Sequence, residues 1–165
     1  ALENFMSGNL DFFDILDSGN LVIALVDQSS SDSGNGYQPC ANDQYYSSAI
    51  NPNDVAAITN FSSPDVQITG TFAKDVWDGI GMFLSSSATV FPTVNASVNG
   101  GNIGNIVVFV DGAVPGTDDY LIGSFQYDFA YQPIDIEPDG DNITVNWDFD
   151  NNYFTGCVFK LISAP

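Results

Sequence analysis

Leu21-Val22-Ile23-Ala24-Leu25-Val26-Asp27 is the stretch that most limits the fold. Six apolar side chains in a row leave neither face of an extended segment polar, so the run reads as a strand buried on both faces. A chain built around such a strand needs apolar material to cover two faces. This one has it: 44% of its 165 residues are hydrophobic, with thirteen Phe, seven Tyr and two Trp. A single domain of this length can bury roughly 70% of its unfolded surface, so a true core is within reach and disorder is disfavoured.

Further short apolar runs follow, most of them separated by turn residues. Strands are expected at 66–73, at 75–85 with Gly79 and Gly81 marking a bulge, and at 88–94 with Pro92 near a terminus or edge. More are expected at 105–112, 119–129, 141–149 and 153–163. In 119–129 the alternation puts Leu121, Gly123, Phe125 and Tyr127 on one face, and Tyr120, Ile122, Ser124 and Gln126 on the other. Helical signals are confined to 41–58. There "ANDQYYSSAI" can form one short helix, and Asn51-Pro52 offers a cap with proline at the first position of another turn or two. Nineteen of the acids are Asp, which together with Asn, Gly and Ser favours turns over helices. The expected fold is all-β: an antiparallel sandwich or jelly roll of about eight strands spanning 21–165, preceded by an N-terminal arm over 1–20.

Twenty-one acidic residues face only Lys74 and Lys160, with no Arg and no His, for a net charge of −19. Binding DNA or RNA requires Lys and Arg to neutralise phosphates, so nucleic acid is not an expected partner. An anionic membrane surface is disfavoured for the same reason. Solubility in a salty medium, a basic partner surface and bound divalent cations are all consistent with the charge. No stretch reaches the ~18 apolar residues of a membrane-spanning helix. The first residues lack the basic segment of a signal peptide. Cys40 and Cys157 form no CxxC pair; a disulfide between them and two buried free thiols are both open readings.

Catalytic readings fare poorly. Asp17-Ser18-Gly19 follows Ile15-Leu16 and looks like the start of an aspartic-protease loop, and a second Asp-Ser-Gly occurs at Asp32. A dyad needs two carboxyls brought together from apolar strands. Asp32 is preceded by polar residues and lies only fifteen positions away, so both read as turns. Without histidine there is no Ser-His-Asp or Cys-His chemistry. The expectation is a protein that is not an enzyme and has no cofactor. Calcium is the exception left open. Asp139, Asp141, Asp148 and Asp150 offer hard oxygens at short spacing, although Tyr153 and Phe159 stand where an EF-hand needs Gly and Glu.

The order of several motifs resembles a family of small virion proteins of tailed bacteriophages. They are Ala24-Leu25-Val26-Asp27, the apolar strand Val107 to Val110, Leu121-Ile122, and a late segment with Gly140, Asp141, Ile143, Thr144 and Trp147. The likeness covers most of residues 20–162 and implies a structural role in the particle. A −19 protein is repelled by packaged DNA, so the outer capsid surface is the expected location. The role there would be a decoration or cement protein, with the major capsid protein and copies of itself as partners. A tail or head–tail adaptor component is the alternative, as is a calcium-dependent carbohydrate-binding module. Leu2, Phe5, Met6, Leu10, Phe12 and Phe13 make the arm apolar enough to dock on a neighbour.

Overall fold

The run at 21–27 does form a strand, β1 (Leu21–Asp27), with every residue buried. It belongs to a computed structural model that describes residues 21–28, 36–40, 43, 45–58, 65–67, 70–75, 80–85, 88–111, 119–128, 131–146 and 157–161. The following strands are β2 (Ala57–Ile58), β3 (Asp65–Gln67), β4 (Gly70–Asp75), β5 (Ile80–Ser85) and β6 (Thr89–Phe91). After them come β7 (Val94–Asn95), β8 (Ile103–Val110), β9 (Tyr120–Phe125), β10 (Ile143–Val145) and β11 (Cys157–Leu161).

Their pairing does not give the expected sandwich or jelly roll. The described strands make one four-stranded sheet in the order β3-β1-β8-β9, a three-stranded sheet β11-β5-β4, and two separate pairs, β10-β6 and β2-β7. All the ladders are antiparallel. Among the described residues, no sheet closes into a barrel or a sandwich. Turn chemistry is the reason. Pro92 has no N–H to give a ladder, and Thr93 turns the chain with a φ of 49°, so the expected strand at 88–94 splits into β6 and β7. Strands of two or three residues cannot propagate a second broad sheet.

The central sheet is covered piecemeal instead. Leu21, Ile23 and Leu25 pack with Ala56, Ile58, Phe91, Val94, Ile103, Val108, Val110 and Val145. Five of those partners come from the two small strand pairs or the residue next to them. On the opposite face Val22, Ala24 and Val26 pack with Tyr37, Ile50, Val55, Val107, Phe109 and Leu121. Tyr46 stacks on Phe109 there, with ring centroids 4.0 Å apart.

The helical segment is shorter than its sequence suggested. α1 (Tyr46–Ala49) has four residues and no side-chain cap. Asn51 does cap a 3-10 turn over Pro52–Asp54, its side chain accepting from the Asn53 N–H at 3.0 Å. The turn stops at Val55 because β1 offers an edge: Val26 bridges Val55, and the Ala56 N–H donates to the Leu25 carbonyl at 2.9 Å. Of the expected bulged strand at 75–85, Asp75 ends β4 and Ile80–Ser85 forms β5, and the two strands pair antiparallel, with Asp75 opposite Ile80 and Lys74 opposite Gly81. In β9 the ladder slips between Val108 and Phe109. Leu121 consequently packs on one face of the sheet, while Ile122 and Phe125 both lean on the other. A strict alternation of period two does not anticipate a bulge.

Candidate functional site

The last residue of β1 is an aspartate in a place made for a hydrophobe. Asp27 lies on the Leu21-Ile23-Leu25 face by alternation and is 2% exposed. Val26 bridges Val55 in antiparallel sense, which brings the 3-10 turn ending at Asp54 alongside the end of β1. Asp54 is itself 4% exposed. Two buried carboxyls thus lie near each other, close enough for the charge of Asp54 to act on Asp27.

Both hold the same loop, residues 96–102. The Ser97 hydroxyl donates to Asp27 Oδ2 at 2.5 Å and the Gly101 N–H donates to the same oxygen at 3.2 Å. Asn99 Nδ2 donates to Asp54 Oδ1 at 2.5 Å, and the Asn99 N–H donates to the Asn53 carbonyl at 3.0 Å. Ser97 Oγ also accepts from the Gly100 N–H at 3.0 Å. Gly101 is needed for this approach, because a Cβ there would sit 3.0 Å from the Asp27 carboxyl. Val98, at the tip of the loop, is exposed.

The backbone behind Asp27 is fixed by Asn105, which is 1% exposed. Its Nδ2 donates to the carbonyls of Asp27 at 3.2 Å and Tyr37 at 3.0 Å, and its Oδ1 accepts from the Ser124 hydroxyl. Tyr37 turns its hydroxyl away, donating to Asp43 Oδ2 at 2.8 Å. Burial, and then the Asp43 carboxylate, raise that hydroxyl's pKa, so it stays protonated.

One atom is left over. Asp27 Oδ1 is buried, and among the described residues none donates a hydrogen bond to it. Burial pushes the Asp27 carboxyl above its ordinary value of 3.8. The Ser97 and Gly101 donors pull it back in part, and the neighbouring charge of Asp54 pushes it up again. The pair is almost wholly buried. Its visible work is to hold a loop. Ser97→Ala is expected to cost about 1.5 kcal/mol, the usual worth of a hydrogen bond to a charged or buried acid, measured as a lower denaturant midpoint at unchanged slope.

The residues singled out from sequence lie elsewhere. Asp17 and Asp32, the apolar arm residues Leu2, Phe5, Met6, Leu10, Phe12 and Phe13, and Asp148 and Asp150 of the calcium set all fall outside the described residues. Asp139 and Asp141 are described, and both are exposed. Asp139 Oδ1 accepts the Asp141 N–H at 3.0 Å, and Gly140 between them has a φ of 92°. This turn docks on β7 through Gly140 N–H to Val94 carbonyl (2.8 Å) and Val94 N–H to Asp141 carbonyl (2.9 Å). Among the described residues, no group of three or more His, Cys, Asp or Glu is placed to hold a metal. Cys40 is a free thiol and is exposed rather than buried.

A second feature stands out from the surface. Beyond β9 the chain folds back on itself: Ile134 N–H donates to the Gln126 carbonyl, Tyr127 bridges Pro133, and Asp128 N–H donates to the Gln132 carbonyl. Tyr127 is 60% exposed and Tyr131 86% exposed. Tyr131 has a φ of 60°, a left-handed conformation that a tyrosine adopts only at a cost. Asp128, Asp135 and Glu137 in and just beyond this hairpin are not buried. No family model matches this sequence, and neither a curated protein nor a solved structure matches it.

Proposed function

We propose that this protein is a structural component of a tailed-bacteriophage particle. It sits on the outer capsid surface as a decoration or cement protein, with the major capsid protein and other copies of itself as partners. The observation that carries the contact role is Tyr131, a large amphipathic side chain held exposed in a strained conformation beside exposed Tyr127. Strain of this kind persists where a site requires it, and tyrosine gives a rigid contact at low entropic cost. Acids around the tyrosines favour a basic partner surface. Two further points support the particle reading. Three of the motifs that carry the resemblance, Ala24–Asp27, Val107–Val110 and Leu121-Ile122, are neighbours in the central sheet. The −19 charge disfavours contact with packaged DNA.

Antibodies against the folded protein should decorate the heads of intact particles in electron micrographs. Labelling confined to tails, or none at all, would overturn the capsid placement. Tyr131→Gly sharpens the test. It should gain about 0.5 kcal/mol, the left-handed cost set against the extra freedom of glycine in the unfolded chain. It should nonetheless bind purified capsids at least tenfold more weakly. Unchanged binding would show that the hairpin is not the contact.

A further inference from the structure

Asn99 is followed by Gly100, and an asparagine before a glycine carries a reaction of its own. The glycine's backbone nitrogen can attack the asparagine side-chain amide, because no β-carbon on the glycine stands in the way. Ring closure makes three demands here. The Gly100 nitrogen must be free to lose its proton, the Asn99 amide must be free to reach it, and the Asn99 β-carbon must eclipse that nitrogen about the Cα–C bond. The folded loop meets none of them. The Gly100 N–H is shared between the Ser97 carbonyl at 3.1 Å and Ser97 Oγ at 3.0 Å. The Asn99 amide is engaged elsewhere, donating through Nδ2 to Asp54 Oδ1 at 2.5 Å. The bond from Gly100 to the Ser97 carbonyl, with no positive φ at Val98 or Asn99, makes residues 97–100 a type I turn. In such a turn ψ at Asn99 is about 0°, which holds the Gly100 nitrogen far from eclipsing the β-carbon.

We propose that Asn99 is a deamidation site which the folded loop keeps shut, and that its reaction, once the loop has opened, prevents the loop from closing again. The step needs only the chain and one water. The Gly100 nitrogen gives up its proton and bonds to Asn99 Cγ, the Cγ–Nδ2 bond breaks, and ammonia leaves carrying a proton. The product is a five-membered imide. Water then opens the imide at either carbonyl, leaving aspartate or its β-linked isomer. Both products carry a carboxylate in place of the amide. Asp54, only 4% exposed, then loses the Asn99 donor and gains a like charge beside it. The isomer also lengthens the backbone by one carbon, inside the turn that bonds Gly100 to Ser97. Asn99 is thus a one-way latch whose rate is set by how often the loop opens. This chemistry is independent of where the protein is located.

The test is a timed incubation of the intact chain at mildly alkaline pH, with conversion of the Asn99 amide to acid followed by peptide mass spectrometry. Native protein is expected to convert at least about tenfold more slowly than the same chain in urea, where the turn and its hydrogen bonds are gone. Equal rates would overturn the closed site. Asp54→Ala should speed native-state conversion about tenfold, the worth of one hydrogen bond to a charged group. Ser97→Ala, which leaves Asp54 in place, should speed it as well. Conversion no faster than wild type in both variants would show that these contacts do not shut the site. The latch is read separately, by making the product directly. Asn99→Asp should speed amide exchange at Gly100 and Gly101 about tenfold over Asn99→Ala, which loses the same donor without adding a charge. Exchange no faster in Asn99→Asp than in Asn99→Ala would overturn the latch.

Discussion

Phe91→Ala is expected to remove about 4 kcal/mol of folding free energy, in the upper range for deleting a buried ring. Phe91 is fully buried and sits among Leu21, Ile23 and Leu25 of β1 and Val94, Ile103 and Val145. It belongs to a three-residue strand whose partner, β10, is equally short, with Phe91 opposite Ile143. A broad sheet could shift as a unit to fill the gap. Here each small ladder is tied by its own turn: Thr93 N–H donates to Asn142 Oδ1 at 2.9 Å, and the 139–141 turn is bonded to Val94. The cavity should therefore stay largely open. For a chain of this length the loss corresponds to a Tm about 8–16 °C lower, readable by calorimetry. A fall of less than about 2 °C would mean that the face of β1 covered by Phe91 collapses freely.

Gly104→Ala should cost nearly as much, about 3 kcal/mol, by overpacking. Between Val26 and Asp27 the register of β1 on β8 shifts, so that Asp27 faces Ile103 and Gly104 is the extra residue. A Cβ on Gly104 would fall 2.5 Å from the Gln28 Cβ and 2.7 Å from its Cα. The Cα is backbone and is tied by the Gln28 N–H to the Asn102 carbonyl at 2.7 Å, so it has nowhere to go. Displacing it would drag the end of β1 and with it the Asp27 carboxyl. Gly123→Ala in β9 is the control. A Cβ there meets nothing within 4 Å, and alanine should be neutral or gain about 0.5 kcal/mol by restricting the unfolded chain. Thermal melts of the two variants should therefore diverge strongly, and equal melts would rule out the close approach at Gln28.

Much of the local structure was legible from the residues. The doubly buried strand at 21–27, the apolar strand around 105–110 and the cap at Asn51 all follow from patterning and backbone chemistry. Partnership does not. Periodicity says which face a side chain takes, not which strand lies beside it, so the small ladders β2-β7 and β6-β10 were indistinguishable from pieces of a second sheet. The site was hidden for a related reason. A search for paired carboxyls looks for Asp followed by a glycine turn, and it led to Asp17 and Asp32. Asp27 and Asp54 carry no such signature. Their one clue is local: Asp27 ends a run of six apolar residues, where a charge has no water to face. Its partner and its donors Ser97 and Gly101 are far off in sequence, beyond what any window of residues reveals.

The register of β1 on β8 bears on how the chain is made as well as on what it becomes. Ala24 pairs with Val107, so the strand that centres the molecule waits for its longest partner, translated about 80 residues later. At ribosomal speeds of 5–20 residues per second that interval is roughly 4–16 s, far longer than the microseconds in which a local hairpin closes. During it, the edge of this apolar strand that β8 will take is unpaired and open to association with other nascent chains, even after β3 has paired with the other edge. The acidic side chains distributed through the intervening sequence repel like chains over the same interval. The heavy negative charge thus acts first on the growing polypeptide, as a guard against premature association, before it shapes any surface of the finished protein.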